Sequence, residues 1–141
     1  MVLRVFHKHR RYRILGRAIG KYKAETSEDW IIILDLATRW KFKDIRALAI
    51  KELEGMKFDS VEKLGIMQKY NIDRQWGYSA IIDLCSRTHP LSISEGHQLG
   101  IEISINVARV REKLEKWGRM KIVEVKKVVN EVFKLEDPGT K

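Results

Sequence analysis

Proline is nearly missing from this chain: two prolines and nine glycines punctuate 141 residues. An all-β domain needs a turn signal every few residues, so this scarcity disfavours sheets before any pattern is read. No long apolar run occurs either. The longest, Trp30 to Leu34, ends at Asp35 and falls far short of the roughly 20 residues of a membrane span. A single cysteine, Cys85, excludes an internal disulfide, and an inert thiol on an apolar helix face fits a reducing cytoplasm or nucleus. The start, Met-Val-Leu-Arg-Val-Phe followed by His7-Lys8-His9-Arg10-Arg11, lacks the apolar stretch of a secretory signal. The expectation is an intracellular, membrane-free protein.

What the chain has in excess is positive charge, and the charge is localised. The net +9 arises almost wholly from residues 1–24, which hold eight bases and no acid. The other 20 bases face 19 acids. Residues 1–24 are therefore read as a partly disordered basic arm, and the helical body, residues 25–136, as nearly neutral. Residues 137–141 are read as a disordered tail. Tyr12 and Tyr22 stand among the arm's eight bases, of which Arg10, Arg11, Arg13 and Arg17 are the candidate phosphate or nucleic-acid contacts.

Beyond the arm, apolar residues recur at three- and four-residue steps. Thr26-Ser27-Glu28-Asp29 carries the hydroxyls and acids of a helix start, and Trp30, Ile33, Leu34, Ala37 and Trp40 share one face of a helix over about 28–40. A second helix, about 44–54, turns Ile45, Leu48, Ala49 and Leu53 inward and stops at Gly55. Asp59 and Ser60 cap a third that ends near Asn71. A fourth is expected over about 73–87, with Gly77, Ala80, Ile81, Leu84 and Cys85 as its stripe. His89-Pro90 breaks the pattern, and Ser92-Ile93-Ser94-Glu95 is a capping box for a short helix that ends or kinks near Gly100. Ile103, Val107, Val110, Leu114 and Trp117 mark the next helix. Ile122, Val125, Val129 and Val132 mark the last, where valine richness raises a strand as a rival but the spacing favours helix. The fold class is all-α: about six or seven helices in consecutive hairpins packed around one core.

Arg39-Trp40-x-Phe42-x-Asp44 and Lys69-Tyr70-x-Ile72-x-Arg74 stand 30 residues apart at matching junctions between helices. Trp30, Trp40, Phe42, Tyr70 and Ile72 are therefore read as structural anchors of two hairpins rather than as a ligand cage. His7 and His9 have no further ligands nearby for a metal, and Cys85, His89 and His97 form no nucleophile–base pattern. No phosphate-cradling glycine loop is present. No cofactor, metal, small-molecule substrate or catalytic residue is expected.

The stretch Tyr22-Lys23-Ala24-Glu25-Thr26-Ser27-Glu28-Asp29-Trp30, followed by Leu34 to Phe42 and Ile45 to Leu53, resembles the C-terminal helical part of fungal BTB/POZ-domain proteins. The likeness continues through Asp59 to Lys63, Gln68 to Ile72, Leu84 to Arg87, Pro90 to Gly96 and Leu99 to Glu102. It covers about two thirds of the chain and rests on the order of the motifs. It implies a non-catalytic protein–protein interaction module, a truncated adaptor or a homo-oligomer, whose partner it does not identify. The BTB core that carries most dimer and cullin contacts in that class has no counterpart here, so cullin binding is carried to no residue. Nucleic-acid binding through the basic arm is the alternative function.

Overall fold

In the computed structural model, residues 24–116 and 122–136 are described, and all the secondary structure among them is helical. Among the described residues there are six α-helices, α1 (Ser27–Arg39), α2 (Lys43–Glu54), α3 (Ser60–Lys69), α4 (Tyr78–Ser86), α5 (Ile93–Lys116) and α6 (Ile122–Phe133), with one 3-10 turn, Arg74–Gly77. The all-α expectation holds. The chain divides into two compact units, Met1–Lys57 and Phe58–Lys141. The boundary follows α2, a division that apolar periodicity does not mark.

In the first unit, α1 packs against α2 as an antiparallel hairpin. Thr26 caps α1 in a reciprocal box: its hydroxyl accepts from the Asp29 amide at 3.2 Å, and the Asp29 carboxylate accepts from the Thr26 amide at 3.2 Å. Trp30, Ile33, Leu34 and Ala37 are buried on α1, and Ile45, Ala49 and Leu53 on α2. Leu48, expected inward, is only half-buried, one position off the centre of that stripe. Trp40 is likewise half-buried and meets Phe42 edge-on, with centroids 5.9 Å apart.

The duplicated motif is a duplicated turn. After α1, Lys41 adopts φ 58°, the Phe42 amide donates to the Ala37 carbonyl at 2.8 Å, and the Lys41 amide to Thr38 at 3.3 Å. After α3, Asn71 adopts φ 49°, and Ile72 and Asn71 make the same bonds to Met67 and Gln68 at 2.8 and 3.3 Å. Both are Schellman closures, in which a left-handed residue lets two amides satisfy the last carbonyls of the helix. A third occurrence escapes the sequence comparison. Lys134 has φ 55° and the Leu135 amide donates to Asn130 at 3.0 Å, so Phe133-Lys134-Leu135 repeats the order aromatic, left-handed polar, apolar.

In the second unit, α4 is the centre: it contacts α3, α5 and α6, and α5 contacts α3 and α6. Tyr78, Ala80, Ile81, Leu84 and Cys85 are buried on it. The single helix expected over 73–87 is divided, because Asp73 caps a 3-10 turn before α4 begins at Tyr78. Gly77 permits this close approach: a Cβ there would stand 2.6 Å from Met67 Sδ and 2.7 Å from Leu64 Cδ2. The last helix forms over Ile122–Phe133 as the spacing predicts, with Val125, Val128, Val129 and Phe133 buried. Ile122, placed on the inner stripe by that spacing, is instead 54% exposed at the first residue of α6, and Val132 is half-buried. Trp117 and the residues up to 121 lie outside the described residues.

Candidate interaction surface

Of the residues singled out from the sequence, Arg10, Arg11, Arg13 and Arg17 lie outside the described residues, as do His7 and His9. The anchors Trp30, Tyr70 and Ile72 are buried, while Trp40 and Phe42 are half-buried at their turn. Cys85 is buried, and desolvation pushes its thiol up to about 12, a value the nearby Arg111 charge lowers only in part. Among the described residues no three metal-ligating side chains group together. No helix among them is long and apolar enough to cross a membrane.

What the fold does assemble is a braced corner between α4 and α5. The Ser92-x-x-Glu95 capping box forms: Glu95 N donates to Ser92 Oγ at 3.2 Å, and Ser92 N donates to Glu95 Oε2 at 2.7 Å. The Arg87 guanidinium closes on both oxygens of Glu95, at 2.8 and 2.7 Å, a bidentate pair that carries geometry as well as charge. It also reaches the Pro90 carbonyl at 3.2 Å. The Arg87 hydrogen bonds, aided by the Ser92 amide, hold the Glu95 carboxyl down at about 2. From the opposite side Arg111 donates to the carbonyls of Leu84, Arg87 and Thr88, at 3.4, 2.5 and 3.1 Å, where α4 leaves its last acceptors unsatisfied.

This corner positions α5. Gly100 interrupts the helix with φ 74° and ψ 166°, so residues 93–99 form one arm and 101–116 a longer one. The Ser104 hydroxyl donates to the Gly100 carbonyl at 2.8 Å. Between the arms and the 90–92 segment lies a groove of about 450 Å³, with Pro90, Leu91 and Ile93 on one side, Val107 and Ala108 on the other, and Glu112 and Glu115 at one end.

The longer arm carries two apolar faces. Ile103, Val107 and Val110 are buried against the unit, with Leu114 half-buried. About 180° around the helix, Ile101, Ile105 and Ala108 point outward. Ile101 is 79% exposed and Ile105 45%, and Ile93 on the shorter arm is 83% exposed. Sequence reasoning followed the first stripe and passed over the second. The signal was present, because apolar residues at 101, 105 and 108 also keep helical steps. Comparison with protein-family models, curated proteins and solved structures finds no match for the chain.

Proposed function

We propose that this chain is a non-catalytic protein–protein interaction module, equivalent to the helical region that follows the core in fungal BTB/POZ proteins, and that α5 presents its binding face. The observation that carries the reading is the outer row of Ile101, Ile105 and Ala108. A single exposed isoleucine is ordinary on a soluble surface, but three apolar positions in register on one helix, with Ile93 nearby, leave apolar area in water that a partner would remove. The groove beside that row adds concave area to the same side of α5. An intracellular setting, cytoplasmic or nuclear, goes with the reading; the lone buried Cys85 thiol supports it. The resemblance carries the family part of the proposal, and the ordered hairpin turns at Trp40 to Phe42 and Tyr70 to Ile72 are compatible with it.

Affinity capture from cell lysate combined with light scattering tests the proposal. The expected result is retention of a protein partner or a second copy, abolished by Ile101→Asp. A strictly monomeric chain that retains no protein would refute it.

Nucleic-acid binding has one specific observation in its favour, the eight bases without an acid over residues 1–24. It predicts retention of DNA or RNA that falls steeply with salt and is lost when Arg10, Arg11, Arg13 and Arg17 are replaced by alanine. The helical circular dichroism should be unchanged by that replacement. Absence of retention at low salt removes this alternative.

A further inference from the structure

The outer face of α5 is self-complementary in one orientation only. Around the helix, Ile101, Ile105 and Ala108 form the apolar row, and Glu102 and Arg109 flank it on the same side, one helical row over. All five residues are exposed. Arg109 makes no ion pair or hydrogen bond among the described residues, whereas Glu102 already pairs with Arg74 at an exposed site.

If two such helices lie parallel about a twofold along their axes, the charged flank of one falls on the opposite side of the contact from that of the other, so neither Glu102 nor Arg109 gains a partner. If they lie antiparallel about a twofold axis at Ile105, the identities change. Ile105 meets its own copy, Ile101 of one helix lies beside Ala108 of the other, and Glu102 of each lies beside Arg109 of the other. Small Ala108 lets the helices approach to the roughly 8 Å of close-packed pairs, and the twofold repeats every favourable contact. The offset from Glu102 to Arg109 is seven residues, two helical turns, so both charges stay on the same flank of the apolar row.

We propose that the face of α5 formed by Ile101, Ile105 and Ala108 binds the same face of a second copy of this chain, antiparallel about a twofold axis near Ile105, with Glu102 of each copy pairing with Arg109 of the other. The proposal rests on the protein-binding reading above and names its partner. The contact runs along residues 101–112, about 18 Å of helix at 1.5 Å per residue, which is short of the area a permanent dimer buries. The association is accordingly weak, in the micromolar range or above.

Sedimentation equilibrium on the full chain, from about 1 μM to several hundred micromolar, is the test. A reversible monomer–dimer equilibrium is expected. Ile105→Asp and, independently, Ala108→Arg should each raise the dissociation constant at least about tenfold, because each buries a charge at the contact. Both positions are outside the core, and unchanged helical circular dichroism verifies the fold. Arg109→Glu should also weaken association about tenfold, and adding Glu102→Arg should restore it to within about threefold of the original. The Arg74 pair is lost in both variants that change Glu102, so comparing Glu102→Arg alone with the double variant isolates the contact between copies.

A chain that stays monomeric throughout overturns the proposal, as does a dimer indifferent to Ile105→Asp and Ala108→Arg. Failure of the double reversal to restore association overturns the antiparallel register. A monomeric chain that captures a different protein through Ile101 and Ile105 overturns self-pairing while leaving the interaction-module reading standing, so the two failures are distinguishable.

Discussion

Replacing Gly100 by alanine isolates a backbone cost at the bend in α5. At φ 74° and ψ 166° Gly100 occupies a region open essentially to glycine alone, where a side-chain-bearing residue is strained by about 1–3 kcal/mol. A Cβ would also stand 2.8 Å from Gln68 Nε2. That neighbour is the far end of an exposed, flexible side chain that can swing away, so the steric part is cheap. Against the strain stands a gain of about 0.4–1 kcal/mol, because alanine narrows the unfolded ensemble. Taking the middle of both ranges, the net loss expected for Gly100→Ala is about 1–2 kcal/mol, read from urea unfolding followed by circular dichroism. The matching fall in melting temperature is roughly 5–15 °C for a domain of this size. Made in a Gln68→Ala background, Gly100→Ala should cost the same within about 0.5 kcal/mol, since the penalty lies in the backbone rather than the contact. A loss below about 0.5 kcal/mol, or one that disappears in the Gln68→Ala background, would refute the reasoning.

Leu53 is fully buried on α2 and Leu48 only half-buried, so Leu53→Ala should cost about 2–5 kcal/mol and Leu48→Ala less than about 2, measured side by side in denaturant. Cys85 should resist modification: with its pKa pushed up to about 12, only about one thiol in ten thousand is ionised at pH 8, against roughly a quarter for a free cysteine. Ellman's reagent should therefore find no thiol in native buffer and one in denaturant, and rapid labelling of the folded chain would contradict the burial. Glu95 sets a pH dependence. Its folded-state pKa, about 2, lies below the ordinary 4.5, so the contact with Arg87 stabilises the fold fully above that ordinary value and is lost as pH falls towards 2. Glu95→Gln should be less stable than the wild type at pH 7, with the gap closing between pH 4.5 and 2; a constant gap would show that the charge is not the cause.

Local signals in the sequence foretold local structure closely. The Thr26 and Ser92 boxes form because each needs only residues within one turn, and the left-handed Lys41 and Asn71 follow from an aromatic and an apolar residue bracketing a polar one at a helix end. The third such turn, at Lys134, escapes the comparison because Val132 stands where the other two have a basic residue before the aromatic. The 3-10 turn before α4 was illegible for a different reason. It exists because Gly77 comes against Met67 and Leu64, a tertiary contact that no periodicity within 73–87 encodes. Leu48 and Ile122 fell off their stripes because a spacing of three or four allows either of two adjacent rows to face inward, and only the packed neighbours choose between them. The candidate site was the least legible part. Arg111 lies 24 residues from the carbonyl it braces at Arg87, a distance in sequence that no motif spans.

These contacts bear on recognition through what they immobilise. A binding face gains affinity when its side chains are already held as the partner needs them, because little freedom is then lost on association. The isoleucines of α5 meet that condition twice. Their β-branched side chains have few helical rotamers to lose. The helix beneath them is fixed by buried Ile103, Val107 and Val110, by Arg111 gripping the end of α4, and by Lys113 pairing with Glu131 of α6 at 2.6 Å. Severing the Arg111 brace should therefore weaken whatever binds at Ile101 and Ile105 although Arg111 is no part of the row, by loosening the arm that carries it. Arg111→Met, which keeps the length and removes the donors, should raise amide exchange across residues 101–112 and weaken binding together. Weakened binding with unchanged exchange would mean that Arg111 touches the partner itself, and the groove that it lines, rather than the outer row, would then be the recognition surface.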